Sequence, residues 1–277
     1  MDEIKNRIIY GVIMIVIMLF CVFFSPVTRV LFFTVAGCLC AYEYSRQMEK
    51  LEMRCSLSVM ILYLFVQASF VLFNLGLPAC CAVFVGAVYL SMLSGILRRT
   101  VSGNGALDTV AGLAYPCLLF GVIMEISISS IWLETLTIAC LSTWNCDTGA
   151  FMGGSRFGKH KLAPTISPNK TVEGAVIGAV SAAFTGVLIY YLGVWCANTA
   201  WLGKLYSPVP LWLCVLISFA ASTMGQIGDL AESLIKRMIG VKDFSELIPG
   251  HGGMLDRADS LLFSIPTTYF CLRLSGL

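Results

Sequence analysis

The acidic residues in the last fifth of this sequence fall at spacings that could serve a cation. Asp229 is followed by Glu232 three residues on and by Lys236 four beyond that, so all three share one face of a helix. Asp256 and Asp259 repeat the i, i+3 pattern. Asp147 is a further carboxylate, within or near the end of an apolar run. At bilayer depth a carboxylate costs about 2.5–3.5 kcal/mol on insertion scales, so it needs a partner or a polar cavity unless it reaches back to water from a helix end. Carboxylates from two elements, with no CxxC pair and no histidine spaced with cysteines, suit a hard cation such as Mg2+. The neighbouring Lys170, Lys236, Arg237, Lys242 and Arg257 suit phosphate groups. Structural salt bridges, with the basic residues facing anionic lipid, account for the same spacing.

Two glycine- and proline-marked stretches carry related chemistry. In GHGG, Gly250, Gly252 and Gly253 flank His251 and free the backbone for close approach to a ligand, and N–H groups ahead of a helix favour an anion. A tight turn before an apolar helix fits these residues too, and His251 could contact phosphate, donate a proton or orient the loop. In SPNKTVEG, Pro168 restricts the backbone, and Lys170 and Thr171 arrive at a helix start, a combination that favours phosphate. Ordinary helix initiation competes with that reading. The nearby GGSRFGKH is close to a P-loop but has His160 where Mg2+ would need a hydroxyl. An apolar helix precedes it where a strand is required, so it is not a nucleotide-binding P-loop.

The elements that must position these residues are apolar. Of 277 residues 58% are hydrophobic and 12% charged, about half the charged share of a soluble domain. The composition is that of an all-α, polytopic integral membrane protein. Apolar runs near 8–24, 27–42, 57–73, 77–97, 107–124, 131–152, 174–191, 209–227 and 258–274 predict nine transmembrane helices. The basic residues test that count. With the N-terminus cytoplasmic, fifteen of the eighteen lysines and arginines fall on the cytoplasmic side, leaving Arg29, Lys204 and Arg273 opposite. Both polar loops, 144–174 and 225–260, then lie on the cytoplasmic face, where they could build one site. The first run, without a small-residue cleavage site after Phe24, reads as a retained helix. No repeat or soluble domain is visible, so residues 1–277 read as a single membrane-embedded domain. Most of the twelve cysteines lie in apolar runs and read as reduced, packed side chains. A net charge of +2 gives no support to a nucleic-acid partner.

Residues 233–259, SLIKRMIGVKDFSELIPGHGGMLDRAD, resemble the signature of the phosphatidate cytidylyltransferase (CDP-diacylglycerol synthase) family. The matching positions are Ser233, Lys236, Arg237, Lys242, Asp243, His251, Gly252, Gly253, Asp256, Arg257 and Asp259. Ala258 departs from the larger apolar residue or Thr usual there, a change in packing rather than chemistry. DTGAF…GKHKLAP…SPNKTVEG resembles the family's other marked region, so the likeness is firm over 147–173 and 225–259.

The resemblance implies transfer of CMP from CTP to phosphatidate, with Mg2+, giving CDP-diacylglycerol and pyrophosphate in phospholipid biosynthesis. By similarity Asp229 and Asp256 are metal ligands, with Asp147 and Asp259 as further contributors. Lys170, Thr171, Lys236, Arg237, Lys242 and Arg257 hold phosphates, and His251 with Gly252 and Gly253 shapes the triphosphate side. Asp229, Asp256, Lys236 and His251 form the expected catalytic set. The expected setting is a plasma or inner membrane with the site on its cytoplasmic face. A homo-oligomer is compatible with this reading.

An ion-coupled transporter would place its acids near the bilayer centre and show repeated halves, whereas these acids cluster at one face. A lipid kinase, or a nucleotidyltransferase for another lipid phosphate, is a closer alternative. Enzymes that consume CDP-diacylglycerol carry DGxxAR…GxxxDxxxD, which is absent here.

Overall fold

The computed structural model describes residues 2–97, 105–199, 209–247 and 252–277. Their helices are α1 (Asp2–Phe24), α2 (Pro26–Met48), α3 (Leu57–Leu72), α4 (Leu77–Leu97) and α5 (Ala106–Gly112). After a π-helical turn at Leu113–Cys117 come α6 (Leu118–Ile128), α7 (Trp132–Phe157), α8 (Val172–Ala197), α9 (Leu211–Ile239) and α10 (Leu255–Leu274). Most residues of each predicted apolar run are helical, with non-helical residues at Phe73, Tyr115, Ile131, Val209 and Pro210. Five helical stretches among the described residues are long and apolar enough to cross a membrane: Pro26–Leu51, Leu77–Leu97, Ala106–Ile128, Val172–Ala197 and Leu211–Ile239. α3, at 16 residues, falls short of the usual spanning length.

The fold is nearly, but not wholly, α. Residues read as a loop form an antiparallel hairpin, β1 (Lys161–Ala163) paired with β2 (Ser167–Thr171). Pro168 and Asn169 in β2 disfavour strand by composition, and a two-stranded ribbon has edges where a proline is tolerated.

The chain divides into two compact units, Met1–Ile128 with Met238–Ala258, and Ser129–Arg237 with Asp259–Leu277. In the first, α2 is the central helix and packs against α1, α3 and α6. Its start is fixed locally: Ser25 and Thr28 form a reciprocal capping box, and Pro26 occupies the first helical turn, where its missing N–H costs nothing. Val30, Cys40, Ala41, Met60, Leu64, Leu113 and Met124 fill this core without solvent exposure. Tyr115, beside Pro116, breaks the helical backbone between α5 and α6 (φ −143°, ψ 114°).

In the second unit α7 and α8 pack along most of their length. Their contact is a seam of glycines. A Cβ on Gly153 would stand 2.7 Å from Ile177, one on Gly178 2.7 Å from the Cys146 carbonyl, and one on Gly174 2.8 Å from the Ala150 carbonyl. Small residues let the backbones approach where apolar solvent gives no hydrophobic drive to pack. Ile131, Ile138, Ile189, Val209, Leu213, Cys214, Ile217 and Leu272 form the apolar core. The opposite face of α8 leaves Val176, Val180, Phe184, Leu188 and Trp195 exposed, Phe184 by 70%. Such a large apolar stripe suits hydrocarbon rather than water.

Candidate active site

The second unit holds four of the five acids singled out above, Asp147, Asp229, Glu232 and Asp259. Asp229 on α9 forms an ion pair with Lys170 on β2, and its other oxygen accepts from the Ser233 hydroxyl at 3.3 Å. One turn on, fully buried Glu232 accepts from Lys236 Nζ at 2.7 Å. Asp147 on α7 lies within electrostatic reach of Asp229, Asp259 and Lys170. Asp259 on α10 meets Asp229, Glu232 and Lys236 in the same way. Thus Asp147, Asp229, Asp259, Lys170 and Lys236, which the sequence reading selected, are brought together here.

Lys170 is held in place by its surroundings. Thr171 caps α8, its hydroxyl accepting from the Gly174 N–H at 3.2 Å, which satisfies one orphan donor of that helix. Glu173 accepts from the Lys159 and His160 amides at 3.0 and 3.2 Å and meets His160 Nδ1 at 2.6 Å, fastening the stretch before β1. Arg237 Nε donates to the Ile166 carbonyl at 3.1 Å, fastening the hairpin turn to α9. Of the residues expected to hold phosphate, Arg237 therefore also has a structural contact, and Thr171 is a buried helix cap.

The first unit holds the remaining signature residues. Asp256 Oδ2 accepts from the Phe244 amide at 3.0 Å and the Gly253 amide at 2.9 Å. Gly252 has φ +82°, a left-handed conformation that glycine adopts without penalty. Gly253 is required by proximity: a Cβ would stand 2.8 Å from Glu43 Oε2 and 2.9 Å from Asp256 Oδ2. Lys242 and Arg257 are exposed. His251 lies outside the described residues.

The carboxylates provide the all-oxygen donor set that a hard divalent cation takes. In the second unit Asp147, Asp229 and Asp259 are the candidates for it, with two lysines in reach. Among the described residues no three His, Cys, Asp or Glu side chains stand at metal-holding distances, and the Lys170 ammonium meets Asp229 directly.

Sequence reasoning missed Glu43. It lies on α2, is 1% exposed, and reaches the start of α10. Its signal was a carboxylate immediately after an apolar run, with Gln47 four residues on along the same helix face.

Residues 5–275 match the cytidylyltransferase family. A phosphatidate cytidylyltransferase of Bacillus subtilis is 31% identical over 280 residues, covering 99% of both chains. The enzyme of that name from Helicobacter pylori strain 26695 is 33% identical over 266 residues, 94% of this chain and 88% of the relative. That of Staphylococcus haemolyticus is 40% identical over 134 residues, about half of each chain. The chain belongs to the cytidylyltransferase family.

Proposed function

We propose that this protein is a membrane phosphatidate cytidylyltransferase, joining CTP to phosphatidate to give CDP-diacylglycerol and pyrophosphate. The observation that carries the reading is end-to-end similarity to relatives of that name, with the charged signature intact over 225–259. A phosphatidate oxygen attacks the α-phosphorus of CTP, the bond to the β-phosphate oxygen breaks, and pyrophosphate leaves. Phosphatidate is already ionised near neutral pH, so no strong general base is required. The obstacles are repulsion between two anions and charge on the leaving group, and fixed positive charge addresses both.

Asp229 and Asp256 are the proposed metal ligands, with Asp147 and Asp259 contributing; the donor chemistry fits Mg2+. When bound, the cation supplies charge neutralisation on the phosphates. Lys170, Thr171, Arg237, Lys242, Gly252, Gly253 and Arg257 are the proposed phosphate-binding residues. Lys236, kept beside Glu232, presents an oriented ammonium, and His251 completes the set by its place in the signature.

The proposed topology is nine spans with the N-terminus cytoplasmic, on the charge asymmetry of the sequence. The reaction is placed at the cytoplasmic face of a bacterial inner membrane, in a single catalytic domain, and a homo-oligomer is compatible with it. CTP would arrive from water and phosphatidate from the bilayer.

The test is pyrophosphate release by detergent-purified protein. Release should require phosphatidate, CTP and Mg2+ together, and fall by at least about 10²-fold in Asp256→Asn. Release undiminished in that variant would remove Asp256 from the site, and a well-folded protein inert toward both substrates would sink the reaction.

A further inference from the structure

We propose that Glu43 is a positioning residue: a buried carboxylate on α2 that fixes the signature loop and, through it, the placement of Asp256 and Arg257. The inference rests on the cytidylyltransferase reading above and adds a residue outside both signature regions.

The described residues on either side of 248–251 are fastened to one face of α2. At the far end, Glu43 Oε1 accepts from the Met254 amide and Oε2 from the Leu255 amide, each at 2.9 Å. At the near end, the Ser245 hydroxyl donates to Glu43 Oε1 at 2.6 Å. Gln47, one turn along α2, donates its side-chain amide to the Phe244 carbonyl. Phe244 itself is fully buried, so the near end is anchored by packing as well. Residues nearly 200 apart in sequence or more are thus joined by one helix turn.

The chemistry explains why a carboxylate stands there. The first N–H groups of a helix have no partner within it, and their dipoles favour negative charge. At α10 three consecutive amides donate to two protein carboxylates: Gly253 to Asp256, Met254 and Leu255 to Glu43. Glu43 therefore holds the ground that a substrate phosphate would otherwise take at this helix start. The absent side chain at Gly253 makes room for both carboxylates at once. A glutamine at position 43 keeps the shape but loses the charge, and turns an NH2 group toward amide or hydroxyl donors.

Glu43→Gln and Ser245→Ala would be purified beside wild type. Each would be assayed by turnover with CTP and phosphatidate, by thermal unfolding and by amide hydrogen exchange resolved over 240–258. In Glu43→Gln, kcat should fall by about 10²-fold, the scale of a small misplacement of reacting groups. The KM for CTP should change little and the unfolding temperature should fall only by a few degrees. Exchange should accelerate at 253–256 while α2 keeps its protection. Ser245→Ala, which removes one donor, should show the same pattern several-fold smaller. Wild-type exchange or wild-type kcat in Glu43→Gln would overturn the proposal, as would acceleration spread evenly through the first unit. Should Glu43→Gln fail to fold, a Ser245→Ala protein indistinguishable from wild type in exchange and turnover overturns it equally. An inert wild-type protein would instead discard the reaction, and exchange alone would then decide whether Glu43 anchors the loop.

Discussion

Lys170 and Asp229, 59 positions apart in sequence, form an ion pair between strand β2 and helix α9. Both side chains are 29% exposed, so the pair adds at most about 1 kcal/mol to stability. Its weight lies in the proposed reaction. The ammonium proposed for phosphate rests on the carboxylate proposed for metal, and productive binding requires each to exchange its partner.

Removing Lys170 should therefore act on the two ligands in opposite directions. In Lys170→Ala, the concentration of Mg2+ giving half-maximal rate should fall, because Asp229 loses its competing cation, while the KM for CTP rises by about tenfold or more. Titrating Mg2+ and CTP separately in both proteins checks the signs. A parallel rise in both constants would show that Lys170 does not compete at Asp229.

The glycine seam should be intolerant of even a methyl group. Gly178→Ala forces Cβ against the Cys146 carbonyl, so α7 and α8 must part, at a cost of about 1–3 kcal/mol. Gly86→Ala on α4 meets nothing within 4 Å and should be neutral or stabilising by up to about 1 kcal/mol. Thermal unfolding of the two variants in one detergent makes the comparison.

Thr171 should matter first as a helix cap. Thr171→Val loses the oxygen that accepts from Gly174 and should cost about 0.5–2 kcal/mol, whereas Thr171→Ser should retain most of it. If Thr171 also touches phosphate, Thr171→Ser keeps its KM for CTP and Thr171→Val does not. Unfolding curves and initial rates separate the two contributions.

Arg237 should resist conservative exchange. Its Nε–H reaches the Ile166 carbonyl, and a lysine lacks that donor geometry. Arg237→Lys should therefore leave the hairpin more open to protease at 161–171 than wild type, by several-fold in cleavage rate. Equal cleavage would reduce Arg237 to a charge.

The sequence exposed those parts of the molecule that depend on short-range spacing. Asp229, Glu232 and Lys236 share a helical face in α9 as their spacing requires, and Lys170 and Thr171 stand at the start of α8. The hairpin escaped notice because Pro168 and Asn169 argue against strand and five residues give little alternation to read. Glu43 escaped because its partners Met254 and Leu255 lie more than 200 residues away, beyond any helical or turn period. The apolar run on α2 ends at Tyr42 because the next residue is charged; the helix itself continues to Met48, since the charge is buried against a distant helix start.

The close approach of α7 and α8 has a bearing on how a two-tailed lipid reaches the reacting groups. Where a single methyl group has no room beside Gly153, Gly174 and Gly178, an acyl chain, several ångströms across, has none either. These two helices form a closed wall, and a diacyl substrate must come in by some other flank. Spin-labelled or photoreactive phosphatidate should accordingly leave this pair of helices unmarked along their shared line.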